Sequence, residues 1–183
     1  MLLLAGGLAV VAIATALNLL LSVGLIHRLR EVHRAMMEWS ERVSINSLRS
    51  GLRQGEPLPE FSATTSSGSP LTREIMMGDS WLLGFFAGSC GSCRVELPRL
   101  TDIVREADSR FKSLVVIDGS AHQSADLLEM ATPVGATVLE EDNGTLSNLF
   151  GVRFFPTFFL TDREGRIAFG SNSVDDVSRF ITS

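Results

Sequence analysis

Residues 2–26 run for 25 positions without a charged side chain. As a helix that is about 37 Å, against a hydrocarbon core of roughly 30 Å. The pattern predicts a membrane-spanning anchor. A cleaved leader is the rival reading, but the run is too long for the apolar part of one. No basic residue precedes it, and no small-x-small site closes it before His27-Arg28-Leu29-Arg30. The apolar spacing then changes: Leu25, Leu29, Val32, Met36, Trp39 and Val43 recur every three or four residues, which predicts a helix with one apolar seam. Such a seam serves either a short coiled-coil homodimer or a helix lying on the lipid surface, and both readings stay open. Residues 44–55 lose the seam and read as a linker.

Beyond residue 55 the pattern is that of a globular domain. The continuous apolar runs at 81–86 and 114–118 predict buried strands. Residues 62–70 are rich in Ser, Thr and Gly and predict a hairpin or loop. Helical segments are expected over 124–130, from Asn143-Gly144 to about Gly151, and over 174–182, with a short strand at 137–139. Two strands, 157–161 and 166–170, flank the turn sequence Asp162-Arg163-Glu164-Gly165. Strands that alternate with helices and finish in a hairpin predict an α/β fold with a mixed central sheet covered on both faces. The expected division is therefore an anchor at 1–27, a juxtamembrane helix and linker at 28–54, and a globular domain at 55–183.

Charge separates these parts. Residues 1–54 hold six Arg and three Glu, whereas 55–183 hold ten Lys or Arg and eighteen Asp or Glu. An acidic globular domain argues against nucleic acid as a partner. Arg28, Arg30 and Arg34, directly after the apolar run, would by the positive-inside tendency keep the domain in the cytoplasm.

The chain has two cysteines, and they are two residues apart in Cys90-Gly91-Ser92-Cys93, after a buried strand and before a predicted helix. With Cys90 at or beside the helix N-cap, unpaired N–H groups and the positive end of the helix dipole favour thiolate over thiol at its sulfur. A helical turn keeps Cys93 within reach of a mixed disulfide formed at Cys90. Cys90 is thus the expected nucleophile and Cys93 the resolving thiol. A zinc site would need a second ligand pair, and His27, His33 and His122 are scattered. No metal and no cofactor are expected.

Four segments resemble, in order, those of the membrane-anchored thioredoxin-like family of TlpA, ResA and MauD. Pro57-Leu58-Pro59-Glu60-Phe61 resembles its opening strand, and Cys90-Gly91-Ser92-Cys93-Arg94-Val95-Glu96-Leu97-Pro98 resembles its CxxCRxExP block. Gly151-Val152-Arg153-Phe154-Phe155-Pro156-Thr157 resembles the segment that holds its cis-proline, and Phe159-Leu160-Thr161-Asp162 with Gly165 resembles the hairpin that follows. The resemblance covers 56–183 and implies a thioredoxin-like fold and thiol-disulfide exchange with protein substrates, fed by an unidentified electron donor. It implies that a cis Phe155–Pro156 bond turns residue 155 towards Cys90, where its N–H and C=O pair with substrate backbone. The rival is a trans proline at a strand edge. It also implies that Glu96, one turn after Cys93, moves protons at the thiols; the rival is a solvated surface carboxylate.

The family's usage places the redox domain outside the cytoplasm, against the arginine flank. Ser89 stands where most members have Trp, and Gly88 before it suggests a more flexible loop. A peroxidase of the peroxiredoxin type would want Thr at position 87, which is Ala87, and a copper carrier of similar fold would want CxxxC. The alternative from a different class is an anchored redox sensor or scaffold whose disulfide changes shape without turning over.

Overall fold

The structure is a computed structural model that describes residues 51–107, 110–141 and 144–182. The apolar run at 2–26, the seam at 25–43 and most of the linker lie outside the described residues. Among the described residues no helix is long and apolar enough to cross a membrane.

In chain order the elements are β1 (Ser62–Thr64), β2 (Pro70–Thr72), α1 (Arg73–Met76), β3 (Trp81–Ala87), α2 (Cys93–Glu106), β4 (Lys112–Asp118), α3 (Ala125–Ala131), β5 (Ala136–Glu140), α4 (Thr145–Leu149), β6 (Thr157–Thr161), β7 (Ile167–Ser171) and α5 (Val174–Thr182). Five strands form one sheet in the order β5-β4-β3-β6-β7. β3, β4 and β5 run parallel, while β6 is antiparallel to both β3 and β7. β1 and β2 form a separate antiparallel hairpin. The mixed sheet expected from the alternation of strand and helix is present.

The period of two along each central strand sorts side chains into two cores. Leu82 and Phe86 of β3, Val115 and Ile117 of β4, and Phe158 and Leu160 of β6 pack with Leu97 and Leu100 of α2, Leu127 of α3 and Val177 of α5. On the other face Leu83, Phe85, Leu114, Val116 and Phe159 pack with Leu58, Phe61, Leu71, Met76, Leu146 and Phe150. β3 is buried along its whole length because both faces are covered, which is why it reads as an unbroken apolar run. Gly84 is required there: a Cβ at this position would lie 2.8 Å from the Phe86 ring and 3.1 Å from Leu100.

One expectation needs correction. Residues 57–61 form no strand; Pro57 makes a single bridge to Arg166, while Leu58 N–H donates to Gly165 O at 2.8 Å. Pro57 and Pro59 lack the N–H groups a ladder needs, so the segment runs beside the turn that precedes β7 without joining the sheet. The four-residue helix α1 was not anticipated, since one helical turn is too short to show a period.

Candidate active site

The antiparallel pairing of β6 with β3 brings the site together. Phe85 lies opposite Thr157, so the beginning of β6, with Pro156 just before it, stands beside the end of β3, from which the chain turns into the cysteine motif. Cys90 N–H donates to Ala87 O at 3.0 Å, which closes that turn.

α2 begins at Cys93 with Ser92 as its cap residue, so Cys90 lies two residues before the cap, one further out than expected. Gly91 and Ser92 form a turn that displaces it. The electrostatic expectation survives in another form, because Cys93 N–H donates to Cys90 Sγ at 3.1 Å. The sulfur occupies the place of a capping oxygen at the positive end of the helix. Ser92 Oγ lies 3.3 Å from the same sulfur and can donate to it. Cys90 and Cys93 are joined as a disulfide with Cα atoms 5.3 Å apart. Cys93 is fully buried, whereas Cys90 is half-buried. An incoming sulfur can therefore reach Cys90 and not Cys93.

The Phe155–Pro156 bond is cis. Phe155 O lies 3.5 Å from Cys90 Sγ, a contact in which the sulfur becomes a donor once it carries a thiol hydrogen. Phe155 is half-buried and Pro156 buried. The structure thus brings together Cys90, Cys93, Phe155 and Pro156. Glu96 is placed differently. It sits on the first turn of α2 with its side chain 23% exposed, paired with Arg99 at 3.2 Å. Among the described residues no hydrogen bond joins its carboxylate to either sulfur. Arg99 also pairs with Asp175 of α5, and the Asp175 hydrogen bond raises the guanidinium pKa above its ordinary value, with Glu96 adding to the effect.

Arg94 is the residue whose role was not legible. Its guanidinium donates to Cys90 O at 3.2 Å, Gly88 O at 3.1 Å, Gln123 O at 3.3 Å, and both Asp126 oxygens, at 2.5 and 3.2 Å. Only the planar fork of arginine serves that many acceptors at once. The hydrogen bonds from Arg94 hold the Asp126 carboxyl below the ordinary aspartate value. Its ion pair is accordingly complete above that value and is lost only as pH falls through the lowered one.

This clamp also corrects the reading of Gly88 as a source of flexibility. Gly88 is buried, its N–H donates to Asp118 O at 2.8 Å, and a Cβ there would lie 2.6 Å from Ser124 Oγ. Glycine is present because the loop packs closely against residue 124. The motif contained Arg94, but its acceptors are brought to it by the fold.

Residues 54–169 match the AhpC/TSA family. The chain belongs to the AhpC/TSA family. Within it, the chain is a thiol-disulfide oxidoreductase of the thioredoxin-like type, as the resemblance in its motifs implied. It is similar to the thioredoxin-like protein YneN of Bacillus subtilis, 26% identical over 70% of this chain and 77% of that protein. It is also similar to the thiol:disulfide interchange protein DsbE of Allochromatium vinosum, 32% identical over 61% of this chain and 62% of that one. Among solved structures, the thioredoxin domain of a thiol-disulfide oxidoreductase from Bacteroides vulgatus superposes with a TM-score of 0.62, at 21% identity over 72% of this chain and 96% of that domain. That likeness establishes the thioredoxin-like fold of this AhpC/TSA member.

Proposed function

We propose that this chain reduces disulfides in protein substrates during the maturation of exported proteins, held to the membrane by residues 2–26 with its redox domain outside the cytoplasm. The observation that carries the reading is the asymmetry of the pair: a half-buried Cys90 sulfur facing Phe155 O, and a Cys93 sulfur sealed in the core.

In the reduced chain, the Cys90 thiolate attacks one sulfur of a substrate disulfide. The substrate S–S bond breaks, a Cys90–substrate S–S bond forms, and the first substrate thiolate leaves and takes up a proton. Residue 155 holds the substrate backbone against Pro156 while this happens. Cys93 then loses its proton, with Glu96, three residues further along α2, as the acceptor, and attacks Cys90 Sγ. The second substrate thiol departs with the reducing pair of electrons, leaving the Cys90–Cys93 disulfide seen in the structure. A dithiol donor returns the pair to its reduced form. YneN and DsbE, by their names a thioredoxin-like protein and a thiol:disulfide interchange protein, support thiol-disulfide interchange as the chemistry.

The test is to express full-length Cys93→Ser in cells and identify what is attached to Cys90. The expected result is a set of exported proteins with paired cysteines, bound through Cys90 and accessible to a membrane-impermeant thiol reagent after reduction. Adducts confined to cytoplasmic proteins would overturn the placement, and absence of adducts would overturn the substrate reading. Glu96→Gln is expected to move the pH profile of exchange with little change in thermal unfolding, since its ion pair with Arg99 is partly solvated. A profile that does not move would return Glu96 to the role of a surface carboxylate.

A further inference from the structure

β7 leaves the sheet where the substrate loop begins. Phe158 pairs with Ser171, so one step further along the antiparallel register Asn172 stands opposite Thr157. There the main chain turns into α5 and no longer supplies ladder donors. The turn is held by Ser171, whose hydroxyl donates to Asp176 Oδ2 at 2.7 Å and accepts Ser173 N–H at 3.1 Å. This fixes where residue 172 emerges. Its side-chain amide then does what the strand no longer does: Asn172 Nδ2 donates to Pro156 O at 3.0 Å and to Thr157 Oγ1 at 2.6 Å.

The direction of each bond is determined by the acceptors. Pro156 O can only accept, so the amide nitrogen must face it. The Thr157 hydroxyl donates to Phe154 O at 2.6 Å, so it is an acceptor towards Asn172. Both N–H groups of the amide are used. The carbonyls of residues 154 and 156 are thereby held by residues 157 and 172, while the carbonyl between them, Phe155 O, faces the Cys90 sulfur. We propose that Asn172 is a positioning residue for protein substrates: with Thr157 it orients the 154–156 backbone so that residue 155 presents a fixed edge to the substrate chain. The proposal rests on the reading of residue 155 as the backbone partner of the substrate.

A small aryl disulfide has no peptide backbone to pair with this edge, whereas a protein disulfide does. The test compares full-length wild type, Asn172→Ala and Asn172→Asp in two assays: turnover of insulin with dithiothreitol as electron source, and a single turnover of dithionitrobenzoate by chain that has been reduced and then freed of dithiothreitol, which would itself cleave the aryl disulfide. Asn172→Asp keeps the shape and loses both donors, so it separates hydrogen bonding from packing; position 172 is exposed, and thermal unfolding of both variants checks that they fold. The expected result is a KM for insulin raised by about five- to tenfold in both variants, the loss of one to two hydrogen bonds, with the second-order rate constant of the reduced chain for dithionitrobenzoate within about twofold of wild type. An unchanged KM for insulin, or equal losses on both disulfides, would overturn the proposal. A wild-type chain inert on both disulfides would overturn the proposed function and this inference with it, whereas an active wild type with silent variants overturns the inference alone.

Discussion

Cys90→Ser should abolish turnover of protein disulfides, while Cys93→Ser should complete one attack and stall. The asymmetry follows from burial. Cys90 is the sulfur that an incoming disulfide can reach, and it receives the Cys93 N–H at the start of α2. A serine hydroxyl at position 90 stays protonated at neutral pH and is a poor nucleophile towards sulfur, so the loss should reach the uncatalysed background. In Cys93→Ser the attack at Cys90 still occurs, but no resolving thiol follows, and a mixed disulfide should accumulate to one equivalent per chain. Non-reducing gels and thiol counts on the purified full-length variants check both outcomes. A sensor that does not turn over would show no steady-state loss in either variant, because the parent would have no turnover to lose.

The second large effect concerns stability. Phe159 lies on the face of β6 opposite Phe158 and meets Phe85 at a centroid distance of 5.7 Å, edge to face, and Phe150 at 5.9 Å. Phe150 in turn meets Phe61 and Phe85, at 6.0 and 5.1 Å. Gly170 on the neighbouring strand and Gly51 leave room for the ring: a Cβ at Gly51 would lie 2.1 Å from it, and one at Gly170 3.3 Å. Phe159→Ala would open a cavity in a region already built to a single ring's dimensions. The expected cost is about 3–5 kcal/mol, a large share of the roughly 5–15 kcal/mol that stabilises a domain. Urea unfolding of the full chain measures it. A loss under about 1 kcal/mol would mean that the cluster collapses around the missing ring.

The elements legible in the sequence are those whose burial imposes a pattern on many consecutive residues. β3, β4 and β6 are covered on both faces and read as apolar runs, and the turn between β6 and β7 is announced by Asp162 and Gly165. The pair Cys90 and Cys93, and Pro156 with Phe155 before it, were legible because they belong to short motifs whose order matches a known family. What was not legible depends on contacts between segments distant in the chain. Arg94 reaches Gln123 and Asp126 only because α3 packs beside α2, and Asn172 reaches Pro156 only because β7 ends beside β6. Gly88 illustrates the same limit in reverse. Its lack of a side chain suggested freedom, whereas the fold uses it for close packing against Ser124.

The site also shows how the pieces around the cysteines are tied to α5. Asp175 pairs with Arg99, which pairs with Glu96, and Asn172 at the entrance to the same helix holds the proline loop. The first turn of α2 and the cis-proline segment before β6 are therefore both tied to one corner of the fold. Changes at that corner should alter substrate handling before they alter stability.

The central claim is that Cys90 is the reactive sulfur and Cys93 the protected one. Its most direct test is brief alkylation of the reduced full-length chain with limiting iodoacetamide at neutral pH, followed by mass spectrometry of the peptide that contains both cysteines. Label on Cys90, with Cys93 unmodified until the chain is denatured, is the predicted result. Label that falls first on Cys93, or equally on both, would contradict the assignment of roles.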